Sequence, residues 1–84
     1  MVALRWEMAE NGARLGYDGR RHVAEVHQEW AHAERRWVWV ARYWGDRRGG
    51  AGPPRGRDRA VVGRFWDAAE AVAAVEIRAA ESAR

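Results

Sequence analysis

The sequence predicts an α+β fold: an antiparallel sheet of about five strands, arranged as a meander, followed by one C-terminal helix packed on it. Apolar residues alternate with polar ones over most of the chain before residue 45, as expected for strands with one buried face. The turn-forming pairs Asn11-Gly12 and Asp18-Gly19 separate the first three of these segments. Asp67 followed by Glu70 has the spacing of a helix N-cap with its capping box.

The first three strands are predicted to be joined by two-residue turns. The first strand carries its apolar residues at alternate positions, namely Val2, Leu4, Trp6 and Met8. The second strand covers residues 13–17, and the third runs from about Arg21 to Gln28. Because side chains alternate across a sheet, we expect Ala24 and Val26 on one face of the third strand and Val23 on the other.

The fourth strand, from Arg36 to Trp44, is apolar on both faces and follows a polar connection at residues 29–34. One face carries Trp37, Trp39, Ala41 and Tyr43, and the other carries Val38, Val40 and Trp44. Such a strand is central in a sheet covered on both sides, or it shows one face to a partner. We expect Trp37 and Trp39 to be core residues beneath the helix, and Trp30 and Trp44, near strand ends, to be exposed.

The last part of the chain is predicted to contain a loop, a strand and the helix, within a single domain spanning residues 1–84. Residues 45–58 are rich in Gly, Pro and Arg, so we expect a mobile loop there. The fifth strand is expected at Arg59 to Phe65 and the helix at Ala68 to Ser82. One stripe of the helix, formed by Ala68, Val72, Val75 and Ala79, is predicted to face the sheet. The outer surface is a candidate dimer face with Ala73, Ile77 and Ala80.

The net charge of +3 is concentrated in the predicted loop. Every one of the 15 cationic residues is an arginine. Residues 45–59 hold five arginines and two aspartates, whereas the remaining arginines are balanced by an equal number of acids. The folded body is therefore expected to be nearly neutral.

The residue inventory argues against an enzyme. Nucleophilic catalysis uses Ser, Cys, Thr or Lys beside a base, but the chain contains no Cys, Thr or Lys and has Ser82 as its only serine. The histidines His22, His27 and His32 are spaced by five residues, which places His22 and His27 on opposite faces of a regular strand. We therefore expect no catalytic residues, no cofactor and no metal site.

No apolar segment reaches the length of about 18 residues that a membrane span requires. The start of the chain lacks a basic region followed by an apolar one, so no signal peptide is predicted. We expect a cytoplasmic protein without a membrane partner.

Two features are candidates for binding a partner. The Arg/Gly/Pro loop has the composition of segments that lie along nucleic-acid backbones, although its composition favours a solvated hairpin loop. The fourth strand interleaves Arg with aromatic residues, which is typical both of sheets that stack bases and of protein hot spots. The candidate partner-binding residues are Trp30, Arg36, Arg42, Tyr43, Trp44, Arg47, Arg48, Arg55 and Arg57.

Several segments together suggest a protein group. They are Trp6-Glu7, Tyr17-Asp18-Gly19, Val23-Ala24-Glu25-Val26, residues 36–42, Gly63-Arg64-Phe65 and residues 67–72. With these segments the chain resembles small accessory proteins of phages and prophages in GC-rich bacteria, which include anti-CRISPR inhibitors. The resemblance implies a compact protein without catalysis, in the host cytoplasm, that docks on a Cas subunit. Inhibitors that mimic DNA are acidic, whereas this chain is basic, so docking on an acidic or aromatic patch is implied.

Two functional hypotheses follow from the sequence. The first is an inhibitor or adaptor, monomeric or homodimeric, that binds one protein partner through exposed Trp, Tyr and Arg. The alternative is a small nucleic-acid-binding module that uses the Arg/Trp surface of the sheet and the basic loop.

Overall fold

The computed structural model describes residues 3–45 and 60–82. The elements are β1 (Arg5–Met8), β2 (Arg14–Asp18), β3 (Arg21–Ala31), β4 (Arg36–Tyr43), β5 (Val61–Phe65) and α1 (Ala68–Ser82). The strands form one antiparallel sheet in the order β1-β2-β3-β4-β5, and α1 packs on it. The predicted α+β meander with a C-terminal helix is therefore confirmed, including the bounds of the helix.

The two early turns separate the strands as predicted, but the first is longer than expected and the second lies at residues 19–20, one residue later. Met8 pairs with Arg14, and Gly12 donates its N–H to the carbonyl of Ala9, so the first turn is longer than a two-residue turn. Within this turn only Gly12, at φ 86°, has the left-handed conformation, which is typical of a hairpin closed by a glycine bulge. The second turn does have two residues, with Gly19 in the first position at φ 62°.

A bulge in β3 changes the faces expected for its first residues. Gly16 pairs with Ala24 and Tyr17 pairs with His22, so Val23 is an extra residue in β3. Val23 consequently joins Ala24 in the hydrophobic core cluster beneath α1. The prediction that Val23 lies on the face opposite Ala24 was wrong because strict alternation holds only for a strand without a bulge.

The third strand is longer than predicted. It continues through Ala31, so Trp30 lies within a strand and not in a polar connection. Only residues 32–35 remain for the turn between β3 and β4, which closes with Ala31 paired to Arg36. Glu29 and the polar residues that follow Ala31 hid the end of the strand in the sequence, because the last residues of β3 carry partly exposed side chains on both faces.

Helix α1 begins at an aspartate cap and buries a narrow stripe. The carboxylate of Asp67 accepts hydrogen bonds from the backbone N–H groups of Ala69, at 2.6 Å, and Glu70, at 3.2 Å. These bonds satisfy donors that have no partner inside the helix. The side chains facing the sheet are Ala71, Val75 and Ala79, all essentially inaccessible to solvent. The helix covers β4, β5 and part of β3.

The sheet face opposite α1 also buries apolar side chains. Val38 and Val40 are 7% and 0% exposed there, which agrees with the predicted two apolar faces of β4. Trp44 is buried on this side, only 3% exposed, with its ring 4.9 Å from that of His22. Its indole Nε1 donates a hydrogen bond of 3.0 Å to the carbonyl oxygen of His22. The expectation that Trp44 is exposed was therefore wrong, because the bulge turns His22 toward it.

Candidate functional site

The β3–β4 hairpin projects beyond its neighbours at one end of the sheet. β2 pairs with β3 only as far as Val26, and β5 pairs with β4 only as far as Trp39. Residues 27–31 and 36–38 therefore extend as a two-stranded ribbon, which we call the tip ribbon. α1 starts at Ala68, close to the point where β5 ends, so the helix leaves the ribbon uncovered.

The tip ribbon carries a pair of tryptophans on the same sheet face as the helix. Trp30 and Trp37 are direct cross-strand partners, and their ring centroids lie 5.6 Å apart at an interplanar angle of 72°. This edge-to-face geometry stabilises a hairpin by about 0.5–1.5 kcal/mol beyond the burial of area. Even so, Trp30 remains 43% exposed and Trp37 56% exposed. The pairing holds the rings in place without hiding them.

A third tryptophan lies at the same end of the molecule, beside Arg36, which projects from the sheet face opposite the Trp30–Trp37 pair. The guanidinium carbon of Arg36 is 3.7 Å from the ring centroid of Trp66, which is 52% exposed. Beside them is an open, largely apolar groove of about 220 Å³. Its walls are formed by Ala31, Glu34, Val38, Arg64, Phe65 and Trp66. We call Trp30, Trp37 and Trp66 together with Arg36 the aromatic tip.

The position of the helix explains which tryptophans are exposed. Trp39 pairs with Phe65 and packs partly against the core, in agreement with the prediction. Trp37 lies two residues farther along the same face, outside the area that α1 covers, so the prediction that it is a core residue was wrong. Arg14 packs over Trp39, with its guanidinium carbon 5.2 Å from the ring centroid, at the edge of the core.

A polar cavity of about 250 Å³ lies beside the tip ribbon. It is lined by residues 11–13 of the first turn, by residues of β3 that include His27 and Gln28, and by Trp39. On the face opposite the helix, His27 Nε2 is 3.1 Å from a carboxylate oxygen of Glu29 and its Nδ1 is 4.0 Å from one of Glu25. Glu25 lies between Leu15 of β2 and Arg42 of β4, so Glu29 is the one carboxylate that this side of β3 carries beyond the end of β2.

The remaining predicted partner-binding residues are dispersed. Arg42 is half-buried on the face opposite the helix, and Tyr43 is half-buried against the core, with Arg78 6.0 Å from its ring centroid. Trp44 is buried and offers little surface to a partner. Arg47, Arg48, Arg55 and Arg57, and the predicted mobile loop 45–58 apart from Gly45, lie outside the described residues.

The candidate dimer face is only partly exposed. Ala73 and Ile77 are exposed, Ile77 by 61%, whereas Ala80 is half-buried. Helical spacing places Glu70 on one side of this face and Glu76 on the other. Two copies meeting through this face would bring carboxylates together, which opposes dimerisation. A helix-mediated dimer remains a prediction.

Sequence reasoning omitted two residues of the aromatic tip from its candidate site. Trp37 was assigned to the core, and Trp66 was assigned no role. The signal for Trp66 was its place directly before the Asp67 cap, since a residue there belongs neither to the buried stripe of the helix nor to the strand. Met8 was placed on the apolar face of the first strand, but it is 68% exposed at the end of β1.

The bulge in β3 also revises the expected placement of the histidines. His22 packs against Tyr17, with ring centroids 5.2 Å apart, and so lies on the same side of the sheet as His27. The two are nevertheless about 16 Å apart along the strand at about 3.3 Å per residue, too far to share one ion. Within residues 3–45 and 60–82, no group of three or more His, Asp or Glu side chains could hold a metal ion.

Comparison with protein-family models, with curated proteins and with solved structures finds no match for this chain. In the part of the chain that the structure describes, no helix has the length and hydrophobicity of a membrane span. Fold and surface together define the class: a small α+β domain, with one helix on an antiparallel meander, that displays tryptophan side chains at one end of its sheet.

Proposed function

We propose that this chain is a non-catalytic protein-binding domain, an adaptor or inhibitor, that contacts one protein partner through the aromatic tip. One observation carries the proposal. Three tryptophans, each 43–56% exposed, lie with an arginine at one end of the molecule, Trp30 and Trp37 on the helix face and Trp66 with Arg36 beside the groove on the opposite face. Trp and Arg are the residues most enriched at the energetic centres of protein interfaces.

The contacts among the side chains of the aromatic tip support this function. Trp30 and Trp37 are held by their mutual contact, and Arg36 is held over the ring of Trp66. Side chains that are already ordered lose little conformational entropy on binding, so more of the free energy of burial contributes to affinity. The groove of about 220 Å³ next to Trp66 offers a recess for an apolar side chain of the partner.

The resemblance to phage accessory proteins suggests a first partner to test, a Cas subunit. In this form of the proposal the protein is an anti-CRISPR inhibitor, and the aromatic tip docks on an acidic or aromatic patch of that subunit. An acidic patch would meet Arg36 at the rim of the tip, where opposite charges accelerate association.

The experiment compares partner capture by three forms of the chain. The wild type, the double variant Trp30→Ala/Trp37→Ala and the control Ile77→Ala are immobilised and exposed to lysate from cells that carry a CRISPR–Cas system. Ile77 is exposed to a similar degree but lies on the helix. We expect the wild type and the control to retain the same stoichiometric protein, and the double variant to lose it.

The captured protein is then purified and titrated against each form. Truncating a hot-spot aromatic residue costs at least about 2 kcal/mol of binding free energy, which weakens Kd by about 30-fold. Circular dichroism confirms that each variant is folded. The proposal fails if no stoichiometric partner is retained, or if the double variant binds as tightly as the wild type.

The alternative, nucleic-acid binding, draws on the stacking of Arg36 on Trp66. The sheet surface itself is less suited to base stacking than the sequence suggested, because Trp39 and Tyr43 pack against the core under α1. Titration with labelled single- and double-stranded oligonucleotides at about 50 mM salt tests this alternative. Saturable binding that falls steeply with salt would favour it over a protein partner.

A further inference from the structure

We propose that the protein partner contributes an extended segment that pairs with the free edge of β3 at residues 27–31 and adds a strand to the sheet there. The inference rests on the proposed function and specifies the chemistry of the partner. We infer that the segment alternates apolar residues, which pack toward Trp30, with basic residues, which face Glu29. Three observations lead to this inference: the open edge, the cavity beside it and the distribution of charge on its two sides.

The edge is open because β2 is shorter than β3. β3 pairs with β4 over Ala24 to Ala31, but its pairing with β2 ends at Val26. Among the described residues, no strand occupies the β2 side of residues 27–31. Every second residue of an antiparallel strand directs its N–H and C=O toward the free side. Residues 27–31 contain no proline, which would prevent a neighbouring strand from pairing with this edge.

The cavity of about 250 Å³ lies where an added strand would meet the sheet. It is bounded by the turn residues 11–13 and by β3 at His27 and Gln28. A strand paired with residues 27–31 would continue the line of β2, so one of its ends would enter this cavity. Partners that bind by strand addition gain affinity from backbone hydrogen bonds and specificity from the pockets that alternate side chains fill.

The two sides of the edge differ in chemistry. The side facing the helix carries Gln28 and the exposed ring of Trp30, against which an apolar side chain can pack. The opposite side carries Glu29, which is in contact with His27 and has the apolar Val38 as its cross-strand neighbour. A basic side chain on an added strand would approach the Glu29 carboxylate from the open side. This arrangement selects a basic, alternating segment.

A second copy of the chain is a poorer occupant of the same edge. Two β3 edges that pair antiparallel about residue 29 would place the Glu29 carboxylate of one copy directly opposite that of the other. Like charges directly opposite each other destabilise a pair of strands. The charge on the edge therefore favours a basic segment of another protein.

The test uses three fluorescent heptapeptide probes. One alternates Arg and Val, the second alternates Glu and Val, and the third is the Arg/Val peptide with alternate backbone nitrogens methylated. Binding is measured by fluorescence anisotropy, and the contact site by NMR shifts of the isotope-labelled full chain. We expect the Arg/Val probe to bind saturably with shifts centred on residues 27–31, and the Glu/Val probe to bind more weakly. Methylation removes hydrogen bonds worth about 0.5–1.5 kcal/mol each, so losing two of them weakens binding by about fivefold or more.

Charge reversal at Glu29 tests the role of this carboxylate, and charge reversal on the helix is the matched control. In the variant Glu29→Arg we expect the Arg/Val probe to bind about three- to fivefold more weakly and the Glu/Val probe to bind more tightly by a similar factor. The variant Glu70→Arg changes the net charge equally but lies on the helix, so neither affinity should change. An increase in the affinity of the Glu/Val probe cannot arise from unfolding of the variant. The test therefore stays valid if Glu29→Arg lowers the stability of the domain.

Several results would overturn the inference. One is the absence of saturable binding up to about 1 mM probe, a concentration at which a Kd corresponds to only about 4 kcal/mol of binding free energy. The others are NMR shifts that lie outside residues 27–31 and equal affinity of the methylated and unmethylated Arg/Val probes. Self-association of the chain through β3 without any probe would assign the edge to a second copy instead. If partner capture still depends on Trp30 and Trp37 while the methylated probe binds unchanged, the proposed function stands and strand addition is rejected.

Discussion

Two residues other than glycine have positive φ angles, Arg35 at 53° and Ala60 at 63°. Residues with a Cβ atom are disfavoured in this left-handed region because Cβ approaches a backbone carbonyl. Arg35 is the last residue of the turn at residues 32–35, directly beside the aromatic tip. Its conformation is imposed by the closure of the β3–β4 hairpin, and the strain is therefore local to the proposed contact surface.

We predict that Arg35→Gly raises the free energy of unfolding by about 0.5–1 kcal/mol, because glycine adopts positive φ without steric cost. The neighbouring variant Glu34→Gly is the control. Glu34 has a negative φ, so glycine there should lower the free energy of unfolding by about 0.5–1 kcal/mol. Urea unfolding of both variants measures the effect. A loss of stability in Arg35→Gly would contradict the left-handed conformation of this residue.

At the scale of elements, the tip ribbon is the least supported part of the sheet. Two-stranded ribbons are marginally stable in water when no third strand or helix packs on them. Here the Trp30–Trp37 contact on one face and the stacking of Arg36 on Trp66 supply the missing support. The same aromatic residues thus stabilise the ribbon and form the surface proposed for partner binding.

We predict that Trp37→Ala loosens the tip ribbon without unfolding the domain. Loss of the aromatic pair removes about 0.5–1.5 kcal/mol, so amide hydrogen exchange at residues 28–31 should accelerate about two- to tenfold. Exchange at Ala24 and Val26, in the core beneath α1, should not change. Ile77→Ala serves as the control and should alter neither region. Equal acceleration of amide exchange in the ribbon and in the core would show that the ribbon does not open independently of the core.

At the scale of the whole molecule, the core is built from small side chains. The largest side chains that are fully buried are valines, Val23, Val26, Val40 and Val75. Of the tryptophans, only Trp44 is buried. Trp6 and Trp39 pack, partly buried, against the core cluster, whose centre depends on the close approach of α1, through Ala71 and Ala79, to the sheet. Alanine at these positions allows the helix backbone to lie near the strands.

A core this small should respond strongly to one truncation. We predict that Val75→Ala lowers the free energy of unfolding by about 2 kcal/mol, because it removes two methyl groups from the centre of the helix–sheet contact and leaves a cavity. For a domain of this size the corresponding fall in Tm is about 8–16 °C. Ile77→Ala removes more carbon from an exposed site and should shift Tm by only a few degrees. Calorimetry on both variants checks the contrast, and similar shifts would contradict it.

Most of the fold followed from local patterns. The meander order depends on turns at Gly12 and Gly19, and the helix bounds depend on the Asp67 cap, all of which act within a few residues of chain. The two apolar faces of β4 were also visible, because alternation along one strand is independent of its neighbours. The bulge at Val23 was not visible, since it is defined only by the register between two strands.

The sequence by itself thus determined the class of fold and the bounds of the helix. Only the tertiary structure decided which tryptophans form a surface. Trp37 and Trp39 are alike in sequence context, yet one is exposed and the other packs on the core, because α1 begins level with the end of β5 and covers only one of them. The free edge of β3 has the same origin. It arises from the unequal lengths of neighbouring strands, and such a difference is set by long-range pairing, not by any local pattern.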